Sequence, residues 1–258
     1  MIALRTEKEL DLLRQANQIV AQVLAVLAES VRPGVTTESL DAVAEREIRA
    51  AGGRPSFLGY HGFPKSTCIS IDEEVVHGIP GPRLLKEGQI VSIDVGVKYK
   101  GYHGDAALTV ACGEINEEKR DLMETTNRAL AKGIAAARAG NYLEDISRAV
   151  QQEVESAGMT VVKNFVGHGI GTRLHEEPQI PNFVTGARGP LLRAGMVLAI
   201  EPMVNAGADG VQLLEDGWTA VTADGRPSAH YEHSIAVCEG EPDILSASPV
   251  LAWGLCEG

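Results

Sequence analysis

Four carboxylates and one histidine sit in this sequence where apolar β segments would ordinarily exclude charge. Two of them are Asp94, in Ile93-Asp94-Val95, and Asp105, in His103-Gly104-Asp105. Aspartate is depleted in strands, so two in neighbouring strand runs need a reason. With a turn centred on Tyr99-Lys100, the hairpin pairs Asp94 directly opposite Asp105. Directly opposed residues share one face of a sheet. Two facing carboxylates repel unless a proton or a cation lies between them. The hairpin also admits an arrangement in which both face solvent near the turn, because Ile93, Val95 and Val97 establish only that the opposite face is buried.

The second half of the chain repeats this chemistry. Asn164-Phe165-Val166-Gly167-His168-Gly169-Ile170-Gly171 places His168 in a glycine-lined turn, where the backbone can approach closely and the imidazole stays uncrowded. A dinucleotide loop would need glycine at Thr172, and a phosphate loop would need glycine where Pro64 precedes Lys65-Ser66. Both readings fail. Glu201 follows the apolar run Leu198-Ala199-Ile200 and precedes Pro202, which ends regular ladder bonding; Glu232 opens another run, through His233-Ser234-Ile235. Taken alone, either glutamate suits a solvent-facing or salt-bridged position, since burial without a partner is costly. Together with Asp94, Asp105 and His168 they make a shared oxygen-rich site with one imidazole, suited to divalent Mn, Fe, Co or Zn. One cation does not need so much negative charge. Two cations about 3.5–4 Å apart, with some carboxylates bridging both, would use it.

The elements that must hold these residues are legible from periodicity. Thr6 and Glu9 form a capping box ahead of Leu10, Leu13, Ile19, Val20, Val23, Leu24 and Leu27 at helical spacing, and Pro33-Gly34 stops that run. A second helix starts near Thr36 or Thr37 and ends before Gly52-Gly53. Two more are predicted over 116–139 and 142–157, separated by Gly140. Strand patterns cover 90–97, 102–110, 196–204 and 233–238, with shorter ones near 161 and 218–221. Helices grouped between hairpins imply an α+β fold.

Composition sets outer bounds. Among 258 residues, 35 Asp and Glu against 23 Lys and Arg give a net charge of −12, and no Lys/Arg cluster offers a nucleic-acid groove. No apolar run reaches the roughly 18 residues of a membrane span. The first residues lack a basic stretch followed by an apolar one, so no signal peptide is expected. Cys68, Cys112, Cys238 and Cys256 are scattered, which fits free thiols in a reducing cytoplasm. No linker divides the chain. One domain spanning 1–258 is expected, with a dispensable tail at 241–258 that is loosely ordered from Pro249 onward.

In combination, Ile93-Asp94-Val95, His103-Gly104-Asp105, Gly167-His168-Gly169-Ile170-Gly171, Ile200-Glu201-Pro202-Met203 and Tyr231-Glu232-His233 resemble the signature of the short bacterial type I methionine aminopeptidases. The segments Leu58-Gly59-Tyr60-His61-Gly62-Phe63-Pro64-Lys65-Ser66 and Val76-His77-Gly78-Ile79-Pro80 extend the resemblance, which runs from about Leu10 to Pro242. It implies the pita-bread fold, a curved antiparallel sheet flanked by helices in two pseudo-symmetric halves. It also implies a monomeric metal-dependent aminopeptidase that removes the initiator methionine from nascent chains when the second residue is small and uncharged.

By that resemblance, Asp94, Asp105, His168, Glu201 and Glu232 are the ligands of two divalent metals. Asp105 and Glu232 bridge them, Asp94 serves one, and His168 and Glu201 serve the other. Glu201 also moves the proton. His77 and His175 contact the substrate around the scissile amide, and Tyr60, His61, Phe63, Cys68, Leu174 and Trp218 complete the substrate site. On residue type alone the two histidines suit surface or structural roles equally well, and Phe63 and Trp218 suit ordinary core. The chain departs from the usual family pattern at Phe63, Val76 and Leu174. It lacks the cysteine-rich amino-terminal extension of larger type I enzymes, so contact at the ribosome exit would fall to the catalytic domain. Two other readings share the motifs. Prolidases and aminopeptidases P use a similar ligand set but commonly carry an extra amino-terminal domain, and a binding module of this fold would be expected to have lost ligands.

Overall fold

A computed structural model describes residues 2–248. From the amino end, α1 (Glu7–Ser30) and α2 (Thr37–Ala50) lead through β1 (Arg54–Pro55) to β2 (Cys68–Ile71), β3 (Glu74–Val76) and the long hairpin of β4 (Gln89–Tyr99) and β5 (Tyr102–Cys112). The second half opens with another helix pair, α3 (Glu117–Ala136) and α4 (Leu143–Ser156). Then come β6 (Thr160–Val161), β7 (Gly167–Gly169), β8 (Glu176–Ile180), β9 (Val197–Ile200) and β10 (Met203–Asn205). The last strands are β11 (Val211–Leu213), β12 (Ala220–Thr222), β13 (Ser228–His230), β14 (Glu232–Ala236) and β15 (Asp243–Ile244).

The helices begin where their caps dictate. The Thr6 backbone N–H donates to Glu9 Oε2 at 2.9 Å, and Thr36 Oγ1 accepts from the Ser39 N–H at 3.1 Å. Asn116 Oδ1 does the same for Lys119 at 3.0 Å. Their apolar faces close over one side of the main sheet. Val20, Leu24 and Leu27 of α1 and Leu122 and Leu130 of α3 are fully buried. Each such side chain contributes about 1.5–3 kcal/mol by leaving water.

The main sheet runs β1-β4-β5-β14-β9-β7-β8, with β2 also paired to β4 and β15 to β14. Two three-stranded sheets, β13-β10-β6 and β11-β12-β3, stand beside it. The hairpin register differs from the sequence expectation by two residues. Tyr99 pairs with Tyr102, so the loop is Lys100-Gly101, and Asp94 faces Ala107 while Asp105 faces Gly96. Both loop residues have positive φ, 48° and 90°, as a two-residue turn matched to strand twist requires, and glycine meets that demand only at the second position. Moving the turn centre by one residue slips the register by two. That slip preserves the face on which each side chain lies, whereas a slip of one would have reversed it.

Three further expectations need correction. The strand expected over 196–204 is two strands in different sheets, because Pro202 has no N–H to offer the ladder and the chain leaves β9 at Glu201. The Gly167-His168-Gly169 turn is instead a strand, held between β8 and β9. Its glycines admit neighbouring backbone: a Cβ at Gly167 would lie 2.4 Å from the Ala199 carbonyl oxygen, and one at Gly169 would lie 2.2 Å from that of Glu177. Nor is the tail dispensable throughout. β15 pairs with β14, Leu245 is fully buried, and Ser246 Oγ bonds His233 Nδ1 at 2.7 Å. The expectation of loose order from Pro249 to Gly258 lies outside the described residues.

Candidate metal centre

Strand register decides which side chains share a face. Cys68 is opposite Asp94, Asp94 opposite Ala107, and Ala107 opposite Glu232. Two residues along β14, Ser234 is opposite Ala199, which is opposite His168. Asp105 and Glu201 each lie two positions from a member of this set, on β5 and at the end of β9. Opposed residues and residues two apart point the same way, so the four carboxylates and the imidazole converge on one face. The other face carries Ile69, Ile93, Val95, Leu108, Leu198, Ile200 and Ile235, which join the helices in the apolar core.

The ligating atoms of Asp105, His168 and Glu232 lie within 4.8 Å of one another, and all three residues are buried. His168 Nε2 is 3.9 Å from Asp105 Oδ2 and 3.6 Å from Glu201 Oε1. His168 Nδ1 lies 3.0 Å from the Gly169 carbonyl, which can only accept, so the proton sits on Nδ1 and the Nε2 lone pair faces the carboxylates. The cluster's backbone is fixed from three segments. Asn17 Oδ1 of α1 accepts from the Asp105 N–H at 3.2 Å, and the Ser234 hydroxyl donates to the Asp105 carbonyl at 2.7 Å. Asn182 Nδ2 donates to the Glu201 carbonyl at 3.0 Å.

The electrostatics are those of a cation site. Burial pushes Asp94 up to about 7. Burial, and then the charge of the neighbouring carboxylates, holds Asp105, Glu201 and Glu232 well above the usual carboxylate range. Burial also lowers His168 to about 3, so its imidazole is neutral and free to ligate. Asp94 Oδ1, Asp105 Oδ1 and Glu232 Oε1 are buried and have no hydrogen-bond partner among the described residues. Orphaned oxygens converging with a neutral imidazole are the donor set of a hard or borderline divalent cation, and these residues fit one.

The cluster lines a cavity of about 560 Å³, whose walls also include every other residue singled out from the sequence: Tyr60, His61, Phe63, Cys68, His77, Leu174, His175 and Trp218. His175 Nδ1 meets the Tyr60 hydroxyl at 2.9 Å, and its ring lies edge-on to His168 at 4.3 Å. His77 has the left-handed φ of 61°, uncommon for a non-glycine residue, and packs edge-to-face on Phe165 at 5.2 Å. Phe63 and Trp218 make a similar pair at 5.2 Å. Asp216 Oδ1 accepts from the Trp218 backbone N–H at 2.8 Å, which fixes the chain where that indole enters. Cys68 is held by α2, because buried Asp41 accepts from the Ser66 and Thr67 N–H groups at 3.0 and 2.9 Å.

Sequence reasoning missed His230. It is buried, lines the cavity, and points Nε2 at Glu201 Oε2 from 3.6 Å. A position two residues before Glu232, in an alternating segment, was the available signal. Phe57, Phe165 and Gln179 also line the cavity, and nothing in their local sequence marks them. Among the described residues, no helix is long and apolar enough to cross a membrane.

Comparison with known proteins agrees with this geometry. The pattern of Metallopeptidase family M24 matches residues 11–239. The methionine aminopeptidase of Clostridium perfringens is 52% identical over 246 residues, covering 95% of this chain and 99% of that one. The crystal structure of methionine aminopeptidase from Thermotoga maritima superposes with a TM-score of 0.94 at 42% identity, over 96% of this chain and 100% of that one. A prolidase from Pyrococcus furiosus shares the fold, with a TM-score of 0.75 at 20% identity, but the match spans only 65% of the prolidase chain. The curved antiparallel sheet flanked by helices is the pita-bread fold, and the chain belongs to the methionine aminopeptidases of metallopeptidase family M24.

Proposed function

We propose that this chain is a single catalytic domain that removes the initiator methionine from nascent proteins when the second residue is small and uncharged. The observation that carries the reading is the convergence of four carboxylates with raised affinity for protons and one neutral imidazole on the polar face of the sheet, at the end of an apolar cavity. Asp105 and Glu232 would be shared by two divalent cations, Asp94 would serve one, and His168 and Glu201 the other, with Mn, Fe, Co or Zn suited to the donors. When bound, such cations polarise a carbonyl oxygen and make a bound water acidic enough to attack near neutral pH.

The remaining steps belong to the chain's own residues. The carboxyl of Glu201, at the edge of the cluster 3.6 Å from His168, would take a proton from the attacking water and release it to the departing amine. His175 has Nδ1 engaged by Tyr60, which leaves Nε2 to steady charge developing at the scissile amide, with His77 at the same amide. Phe63, Cys68, Leu174 and Trp218 offer the methionine thioether apolar burial and sulfur–aromatic contact, with Tyr60 and His61 at the rim. A free α-amino group is favoured at the anionic end, which restricts the enzyme to chain termini. The chain would act as a monomer in the cytoplasm, on peptides emerging at the ribosome exit.

Hydrolysis by the Mn²⁺-loaded protein tests this directly. Met-Ala-Ser should release free methionine, Ala-Pro should remain intact, and chelation followed by Mn²⁺ should abolish and then restore the activity. Preference for the Xaa-Pro substrate would contradict the reading.

A further inference from the structure

His230 is the one cavity-lining histidine that nothing above employs. It is 2% exposed, and its Nε2 has no hydrogen-bond partner among the described residues. A buried polar group left unmet costs about 1–3 kcal/mol. Its backbone is rigid on both sides. The His230 N–H donates to Thr109 Oγ1 at 3.0 Å, and the Thr109 hydroxyl donates to the His230 carbonyl at 2.9 Å. Across the ladder, His230 pairs with Met203, two residues beyond Glu201.

Glu201 stands between two imidazoles. Its Oε1 is 3.6 Å from His168 Nε2, and its Oε2 is 3.6 Å from His230 Nε2. The terminal torsion of a glutamate is broad, so without a second contact the two oxygens would exchange freely. The 3.6 Å gap is about 0.5 Å beyond hydrogen-bond length and closes with a small turn of the Glu201 side chain, as catalytic contacts commonly do when a site is loaded.

We propose that His230 is a positioning residue for Glu201: its Nε2–H donates to Oε2 and fixes which carboxylate oxygen faces the ligand cluster and which handles the proton. The inference rests on the reading of Glu201 as the proton carrier. It assigns His230 no contact with substrate and no place among the metal ligands. Because the imidazole is fixed by β13 while Glu201 lies just past β9, the contact also ties the small sheet β13-β10-β6 to the chemistry of the main one.

Two near-isosteric variants separate this role from simple packing. The glutamine side chain places an N–H close to the position of Nε2, whereas asparagine places one close to Nδ1. With Met-Ala-Ser, His230→Asn should lower kcat by roughly 10–100-fold at nearly constant KM, the usual cost of losing a partner that orients a site group. His230→Gln should recover to within about threefold of the parent. Calorimetric titration with Mn²⁺ should give the parent stoichiometry for both variants, and thermal melts should be alike for the two. In a Glu201→Gln background the further change His230→Asn should cost less than about twofold, since coupled residues are not additive. Equal kcat for the Asn and Gln variants would overturn the proposal, and so would loss of a Mn²⁺ equivalent in both, which would make His230 a ligand. A Glu201→Gln enzyme with undiminished kcat would instead overturn the role of Glu201 itself.

Discussion

Asp94 and Glu232 face each other across Ala107, because both pair with that one residue from opposite sides of β5. The alanine methyl, fully buried, is the floor between two carboxylates that would repel without a shared counter-charge. Its smallness is therefore a requirement of the site. Ala107→Val should cost about 1–3 kcal/mol in stability, the usual range for overpacking. The same change should lower kcat/KM by more than about 100-fold, because it displaces groups that must align to within an angstrom. Thermal melts and Met-Ala-Ser kinetics check the two effects, and full activity would remove Ala107 from the site.

Proton linkage gives a second expectation. A carboxyl whose pKa is raised in the fold holds its proton where the unfolded chain has lost it, so its contribution to stability falls as pH rises toward the folded value. Asp94, raised to about 7 by burial, and Asp105, Glu201 and Glu232, held well above the usual carboxylate range by burial and then by their neighbours' charge, all act in this sense. The histidines His77, His103, His168, His230 and His233, lowered by burial, act oppositely, but only below about pH 6.5, where the unfolded chain would take up protons. Chelated protein should therefore melt at lower temperature as pH rises from about 6.5 to 7.5, through the folded value of Asp94, and Mn²⁺ should restore more stability at the upper end. A chelated protein that grows more stable over that window would contradict the charge reading.

His175 should separate metal binding from turnover. It bonds Tyr60 and lies beside His168, yet its ring nitrogens are not among the clustered ligand atoms. His175→Ala should keep its Mn²⁺ content by elemental analysis while kcat falls on the order of 100-fold. Loss of metal in step with activity would make His175 a ligand.

The aromatic pair of Phe63 and Trp218 should set the grip on methionine. An edge-to-face pair contributes about 0.5–1.5 kcal/mol beyond its burial, and the sulfur–aromatic contact adds a similar amount. Trp218→Ala should raise KM for Met-Ala-Ser by roughly tenfold with kcat less affected. An unchanged KM would place the methionine elsewhere.

The sequence carried the helices well, because caps such as Thr6 with Glu9, and punctuation such as Pro33-Gly34, are local. It carried the face of Asp94 and Asp105 as well, since parity survives a two-residue slip. What it could not carry was non-local. The register waited on a turn that tolerates Lys100 at positive φ, and β7 is a strand only because Ala199 and Glu177 supply its neighbours. His230 escaped notice because its partner, Glu201, reaches it from another sheet.

The steric rule at the second residue tests the central claim most directly. With the amino group at the acidic end and the methionine side chain against the Phe63–Trp218 pair, the second side chain would fall near the His77–Phe165 pair, with little room to withdraw. A misplacement of about 1 Å can cost a factor of 100 in rate, so bulk there slows turnover even where binding survives. The measurement is kcat/KM of the Mn²⁺-loaded enzyme for Met-Xaa-Ser peptides with Gly, Ala, Ser, Thr, Pro, Val or Cys against Leu, Lys, Arg or Glu at Xaa. The small residues should exceed the large ones by about 100-fold or more. Values within about threefold for Ala, Leu and Lys would contradict it, because an open second position carries no such penalty.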